Sequence, residues 1–329
     1  MRQMARTRRG AMTAALLAIT AMGSLMTGCT ADDGARGRTV DDGRGPAQGP
    51  GEDHKETAST GSVLAVKIDN VRAARPQTGL DAADVVYTEQ VEGGLSRLMA
   101  IYASKFPKAI GPVRSARESD LELLRQFDEP TLAYSGAQHK LLPLIEKAPL
   151  DAQPPGEASN GYYRGTDKPA PHNLYLRPEQ LVGSAPGSDA LTTGFHFGTA
   201  PAGGSPETSR TVRYPSARFT FTWSESRQRW LVAMDGTPTV TTEGKTVAPA
   251  TVVVQYVKVR PSQFHDSLGN NTPYTETVGS GKAEVLRDGR VFDVNWARPN
   301  AADGTEFTTS DGTPMNFAPG QVWVVFAKA

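Results

Sequence analysis

Two arginines three positions apart, Arg114 and Arg117, stand in GPVRSAR at residues 111–117, beside Gly111, Pro112 and Ser115. A guanidinium carries a fixed charge and a planar fork of donors that fits a carboxylate or a phosphate. Arg97, in the run LSRLMAIY just upstream, points toward the same edge if that run is a strand. Pro112 has no N–H and restricts Gly111, and a helical pattern opens a few residues later. The free N–H groups of a helix start would add to an anion site built on Arg97, Arg114, Ser115 and Arg117. Glu89 and Glu92 offer a second use of the same arginines, an internal ion-pair cluster that locks strand to helix. Both readings stay open at this level.

A second constellation lies in PHNLY, residues 171–175, where His172, Asn173 and Tyr175 follow Tyr162, Tyr163, Arg164 and Asp167. Aromatic faces with amide and imidazole donors suit sugar rings, so the segment is a candidate glycan-binding loop. The competing use is local: such side chains often satisfy the backbone of their own loop.

Other chemistries find little support. The five histidines, at 54, 139, 172, 196 and 265, show no HExxH, and the chain has one cysteine, so no metal site is expected. His139 and His196, beside apolar residues, read as structural. There is no GxSxG; Ser135 near His139 lacks an evident orienting carboxylate. Neither phosphate-cradling glycine loop occurs after a strand, so no nucleotide cofactor is expected. Binding is therefore favoured over catalysis.

The beginning of the chain addresses location. Arg2, Arg6, Arg8 and Arg9 precede an apolar run from Ala11 to Met26, and MTGC ends at Cys29. The run is short for a membrane span and closes on small residues, as an export signal does. Cys29 after Thr27-Gly28 fits lipid attachment and acylation of a new amino terminus, with Met26 where such boxes usually carry leucine. Several acyl chains anchor firmly, which predicts a palmitate-type lipoprotein of the cell membrane facing outward. Residues 1–28 hold four arginines and no acid, so 35 basic against 35 acidic residues becomes 31 against 35. Without a basic stripe, nucleic acid is not an expected partner.

The elements follow from patterning. Residues 29–60 hold almost no large apolar side chain and read as a flexible tether, with His54 solvated. SVLAVKIDN, DVVYTEQV and LSRLMAIYAS read as strands, EGG as a tight turn, and SARESDLELLRQF as a helix N-capped by Ser115 or Ser119. Beyond GTAPAGGSPETS, alternation in ARFTFTWS, RWLVAM, TVVVQYVKV, KAEVLRDGRVFDVNWAR and QVWVVFA predicts strands with a hairpin at RDG. The fold class is α+β. A layered α/β domain over 61–204 carries the candidate site, and a mostly β domain follows over 205–329, with its tryptophans in the core.

KIDN, ADVVYTEQVEGGLSRLMAIY, IGPVRSAR, PHNLY, GKAEVLRDGRVFDVNWAR and PGQVWV, in that order, resemble the YerB-like bacterial lipoproteins over residues 62–329. The resemblance implies two adjoining domains of unknown function and lipoprotein status; it supplies no reaction. The expectation is thus an anchored, extracytoplasmic lipoprotein that binds an anionic envelope component, such as wall glycan, or a partner protein. Two alternatives accompany it. One is a transferase loosely similar to the LytR-CpsA-Psr kind, acting on lipid-linked pyrophosphate, although Ser115-Ala116 interrupt the Arg-Asp block that resemblance calls for. The other is a scaffold for a membrane complex.

Overall fold

The computed structural model describes residues 61–156, 161–266 and 269–329. The expected signal, the tether, Cys29 and His54 lie outside the described residues. The apolar runs of the first half become β1 (Leu64–Asp69), β2 (Val85–Gln90), β3 (Ser96–Tyr102), α1 (Glu118–Leu124), β4 (Thr131–Ala133), α2 (Leu142–Lys147), β5 (Asp151–Gln153), β6 (Tyr162–Arg164), β7 (Leu174–Leu176) and α3 (Pro178–Val182). The second half is strands: β8 (Ser205–Pro206), β9 (Ser209–Tyr214), β10 (Ala217–Ser224), β11 (Arg229–Met234), β12 (Thr237–Pro238), β13 (Thr251–Val257), β14 (Val259–His265), β15 (Asn271–Thr275), β16 (Gly279–Arg287), β17 (Arg290–Arg298), β18 (Glu306–Thr308) and β19 (Val322–Lys328). Strands dominate, and the longest described helix, α1, has seven residues.

Both halves build one sheet, in the order β18-β17-β16-β13-β19-β2-β3-β1-β4-β5. The seam is the parallel pair of β19 with β2, Val322 against Val85 through Val325 against Thr88. Runs such as VWVVFA and LAVKI are apolar at nearly every position because both faces of this sheet are covered. One face (Val66, Val86, Leu98, Trp323) packs on Phe219, Phe221 and Trp230 of a four-stranded sheet, β12-β11-β10-β9. The other (Ala65, Met99, Val324) packs on Leu123 and Leu124 of α1 and Leu141 before α2. Trp230 and Trp323 are fully buried and Trp296 nearly so; Trp223 is half-buried.

The helix expected over SARESDLELLRQF is shorter, because its first residues are committed elsewhere. β4 pairs only with Leu64–Val66 of β1. The remaining edge of β1 is taken by the 111–114 segment: the Asp69 N–H donates to Pro112 O at 2.9 Å and the Arg114 N–H to Lys67 O at 2.8 Å. Val113 donates to Leu174 O, and Ala116 to Gly136 O. GPVRSAR is therefore an extended ribbon threaded between β1, β7 and the loop after β4. The helix N-cap is Arg117, and Ser119 lies inside the helix, buried.

Candidate functional site

In the β1 run LAVKIDN, period-two alternation sends Ala65, Lys67 and Asp69 to the face covered by α1. Ala65 meets the apolar core there, and the two charged residues are fully or almost fully buried. Lys67 Nζ is held by the Glu89 carboxylate from β2 and by Asp120 Oδ1 from α1, the latter at 2.6 Å. Asp120 also accepts the N–H of Arg117 at 2.7 Å, so one carboxylate both caps the helix and docks it on the strand. Burial pushes the Glu89 carboxyl up to about 7, with Lys67 opposing the rise and Asp120 adding to it.

Asp69 organises the next row. Its Oδ2 meets His172 Nδ1 at 2.8 Å and Arg114 Nε at 3.2 Å. Arg97 stands directly across from Asp69 on one side and from Glu89 on the other. Arg97 donates to Ser115 O, a long contact at 3.4 Å, and forms no ion pair with a carboxylate among the described residues. Burial, then the neighbouring Arg117, lowers its pKa to about 10, against the opposing pull of Glu92. Arg117 is spent: its Nε and one terminal nitrogen grip both oxygens of Glu92 at 2.7 and 2.9 Å, and another donates to Ala116 O. Burial would raise the Glu92 carboxyl, but the bonds and charge of Arg117, with Thr272, hold it below the usual range.

Arg97, Arg114, Ser115 and Arg117 line one open cleft of about 750 Å³, between the end of the main sheet, α1 and the β14–β15 hairpin. The two expected uses of the arginines are thus divided. Arg117 pairs with Glu92, whereas Glu89 turns to Lys67 rather than to an arginine. Arg114 keeps its terminal nitrogens without a hydrogen bond among the described residues and is about a quarter exposed. A seven-residue helix whose first N–H groups lie beside the Asp120 carboxylate adds no anion site of its own.

The PHNLY residues separate. His172 leaves its loop to reach Asp69 and does not line the cleft. Asn173 stays local, accepting from Arg164 at 2.8 Å and donating to Gly165 O at 2.9 Å. The Tyr175 hydroxyl donates to Asp167 at 2.7 Å and accepts from Lys168, and its ring stacks on Tyr163, whose face also carries Arg177. These aromatic faces are already occupied. Among the described residues no three His, Cys, Asp or Glu side chains converge as for a metal. His139 and His196, expected to be structural, are exposed: Phe197 beside His196 is itself exposed, and His139 is flanked by the polar Gln138 and Lys140, so neither ring is drawn into the core.

Lys67, Asp69 and Asp120 escaped the reading of the sequence as site residues. Their signal was a lysine and an aspartate at core-facing positions of an otherwise apolar strand, and an acid three residues after Arg117. Three of the blocks that carry the resemblance, KIDN, IGPVRSAR and PHNLY, meet at the Asp69 carboxylate.

Comparison with known proteins identifies the family. Residues 50–191 match the model described as "Protein of unknown function (DUF3048) N-terminal domain", and residues 210–324 match its C-terminal counterpart. The chain belongs to this YerB-like family. It is 26% identical over 271 residues to a protein of Bacillus subtilis (strain 168) named "Putative lipoprotein YerB", covering 79% of this chain and 80% of that one. The crystal structure of YerB protein from Bacillus subtilis has the same fold, with a TM-score of 0.67 at 23% identity over 82% of this chain and 91% of that one. Among the described residues no helix is long and apolar enough to cross a membrane.

Proposed function

We propose that the chain is a lipoprotein anchored through Cys29 on the outer side of the cytoplasmic membrane, and that its arginine-lined cleft binds an anionic component of the cell envelope, such as a phosphate- or carboxylate-bearing wall glycan. The observation that carries this reading is the unequal use of three arginines in one cleft. Arg117 is neutralised by a two-point contact with Glu92. Arg114 offers its terminal nitrogens and Arg97 makes one long contact to a carbonyl. Donors held in place by protein but not saturated by it suit a ligand that brings its own oxygens. The signal at the start of the sequence and the lipoprotein relative support the anchor.

The test is calorimetric titration of inorganic pyrophosphate into the wild-type chain and into Arg97→Met and Arg114→Met. Loss of one charge-assisted contact should weaken binding about tenfold or more, and added salt should weaken it further. Arg117→Met should act first on stability. Equal affinity in wild type and both cleft variants would overturn the reading.

A further inference from the structure

The cleft is not polar throughout. Beside the arginines and the acids Glu92, Glu118 and Asp266, part of its wall is apolar, formed by Leu95, Ala137, Leu141 and Phe264. Leu141 and Phe264 belong to the buried core on the α1 side of the sheet, and Ala137 packs against it, so this part of the wall is firm. Leu95, by contrast, is 39% exposed at the β2–β3 turn. Directly after Leu141, α2 leaves Leu142 and Leu144 exposed to the same degree. A site for a small, fully hydrated anion has no use for such a wall, which places the half-exposed Leu95 beside the arginines.

We infer that the ligand of this cleft is an amphiphile, a phosphate ester whose head meets Arg97 and Arg114 and whose apolar chain lies along Leu95, Leu141 and Phe264. The inference rests on the anion-binding reading and adds the ligand's second half. Phosphate suits the head better than a carboxylate does. It presents acceptor oxygens in several directions, and the two donors come from separate elements, Arg97 from β3 and Arg114 from the extended ribbon. The apolar chain gains by leaving water, in proportion to the methylenes covered.

The experiment uses the full-length chain carrying Cys29→Ser and four probes: inorganic phosphate, monobutyl phosphate, mono-octyl phosphate below its micellar concentration, and octanol. Mono-octyl phosphate should bind about tenfold or more tighter than monobutyl phosphate, and octanol should bind far more weakly than either ester. Arg114→Met should weaken all three phosphates. Leu95→Asn, a change at an exposed position, should shrink the advantage of the octyl chain and leave inorganic phosphate unaffected. Equal affinity for the two esters, both dependent on Arg114, would overturn the amphiphile and leave the anion site standing. Octanol binding as tightly as octyl phosphate, indifferent to Arg114→Met, would also overturn it, as a mere apolar surface. Absence of any Arg114-dependent phosphate binding would remove the anion site and this inference together.

Discussion

His172 and Arg114 close on the same carboxylate oxygen, Asp69 Oδ2, at 2.8 and 3.2 Å. The aspartate is almost completely buried and both partners are partly exposed, so the charge that has left water is the acid, and the two bases hold it from the rim. Asp69→Asn keeps the shape but removes the counter-charge of Arg114. It should lower unfolding free energy by about 1–2 kcal/mol, the scale of lost charge-assisted hydrogen bonds, because the charge removed is the buried one and the bases left behind are partly exposed. Urea denaturation at pH 7 reads this directly. His172→Ala, which leaves Arg114 on Asp69, should cost less than half as much.

Lys67 presents the opposite case, a fully buried base between two acids. Lys67→Met leaves Glu89 and Asp120 facing each other with no cation, and stability at pH 8 should drop by roughly 3–5 kcal/mol. Part of that loss should return on lowering the pH to 5, because protonation removes the repulsion. Denaturant melts at the two pH values decide it: a deficit that does not shrink in acid would mean that Lys67 acts by packing alone.

Glu89 gives a pH dependence with a defined sign. Its folded pKa, raised by burial to about 7, lies above the unfolded value. The folded state therefore binds the proton more tightly, and its contribution is complete below about pH 4.5 and lost as pH rises through 7. Measured against Glu89→Gln, which cannot titrate, wild-type stability should fall steadily between pH 4.5 and 7.5. A constant difference across that window would contradict the assignment.

Much of the fold was legible in the pattern of the chain. Alternation placed β10 and β11, the apolar runs placed β1, β13 and β19, and Asp288-Gly289 marked the β16–β17 hairpin. What local pattern could not show was the pairing of β19 with β2 across more than two hundred residues, which makes the two halves share a sheet. Register between distant strands is set by the whole core, not by either strand's sequence. The site was legible in part for the same reason. GPVRSAR announced its arginines, and Glu92 stood among their possible partners, but Asp69 reaches Arg114 only after β1 and the ribbon align. The β14–β15 hairpin, whose Thr272 also bonds Glu92, had no strong periodic signal because much of it faces solvent.

Gly111 is required by a close approach. A Cβ there would stand 2.8 Å from Tyr175 Cδ1 and 2.9 Å from Leu174 O. Gly111→Ala must push β7 off the ribbon that carries Arg114, and overpacking of this kind costs about 1–3 kcal/mol. Thermal unfolding should report the loss. Anion affinity should weaken too, because the backbone on either side of Arg114 is held by Leu174 O through Val113 and by Lys67 O directly.

Arg298 fastens the two halves of the chain together from the far side of α1. It is fully buried, and its guanidinium donates to Glu122 O and Leu123 O at 2.9 and 3.3 Å, to Thr277 Oγ1 at 2.8 Å and to Asp303 O at 3.0 Å. The first two are carbonyls near the end of α1, which have no partner within a helix this short. The Glu122 side chain answers by accepting from the Tyr274 hydroxyl and the Thr277 N–H. Arg298→Met would leave the Glu122 carbonyl buried without a donor, at about 1–3 kcal/mol before relaxation, whereas Leu123 O keeps Gln126 Nε2 at 2.8 Å; with the bonds to Thr277 and Asp303 also lost, a total of roughly 3 kcal/mol is expected. The shared sheet requires that this loss appear as one earlier transition rather than as separate melting of the second half. Because Arg298 does not line the cleft, pyrophosphate affinity well below the midpoint should be unchanged. Two resolved transitions in the variant, with the first half still folded, would show that the seam between β2 and β19 does not couple the halves.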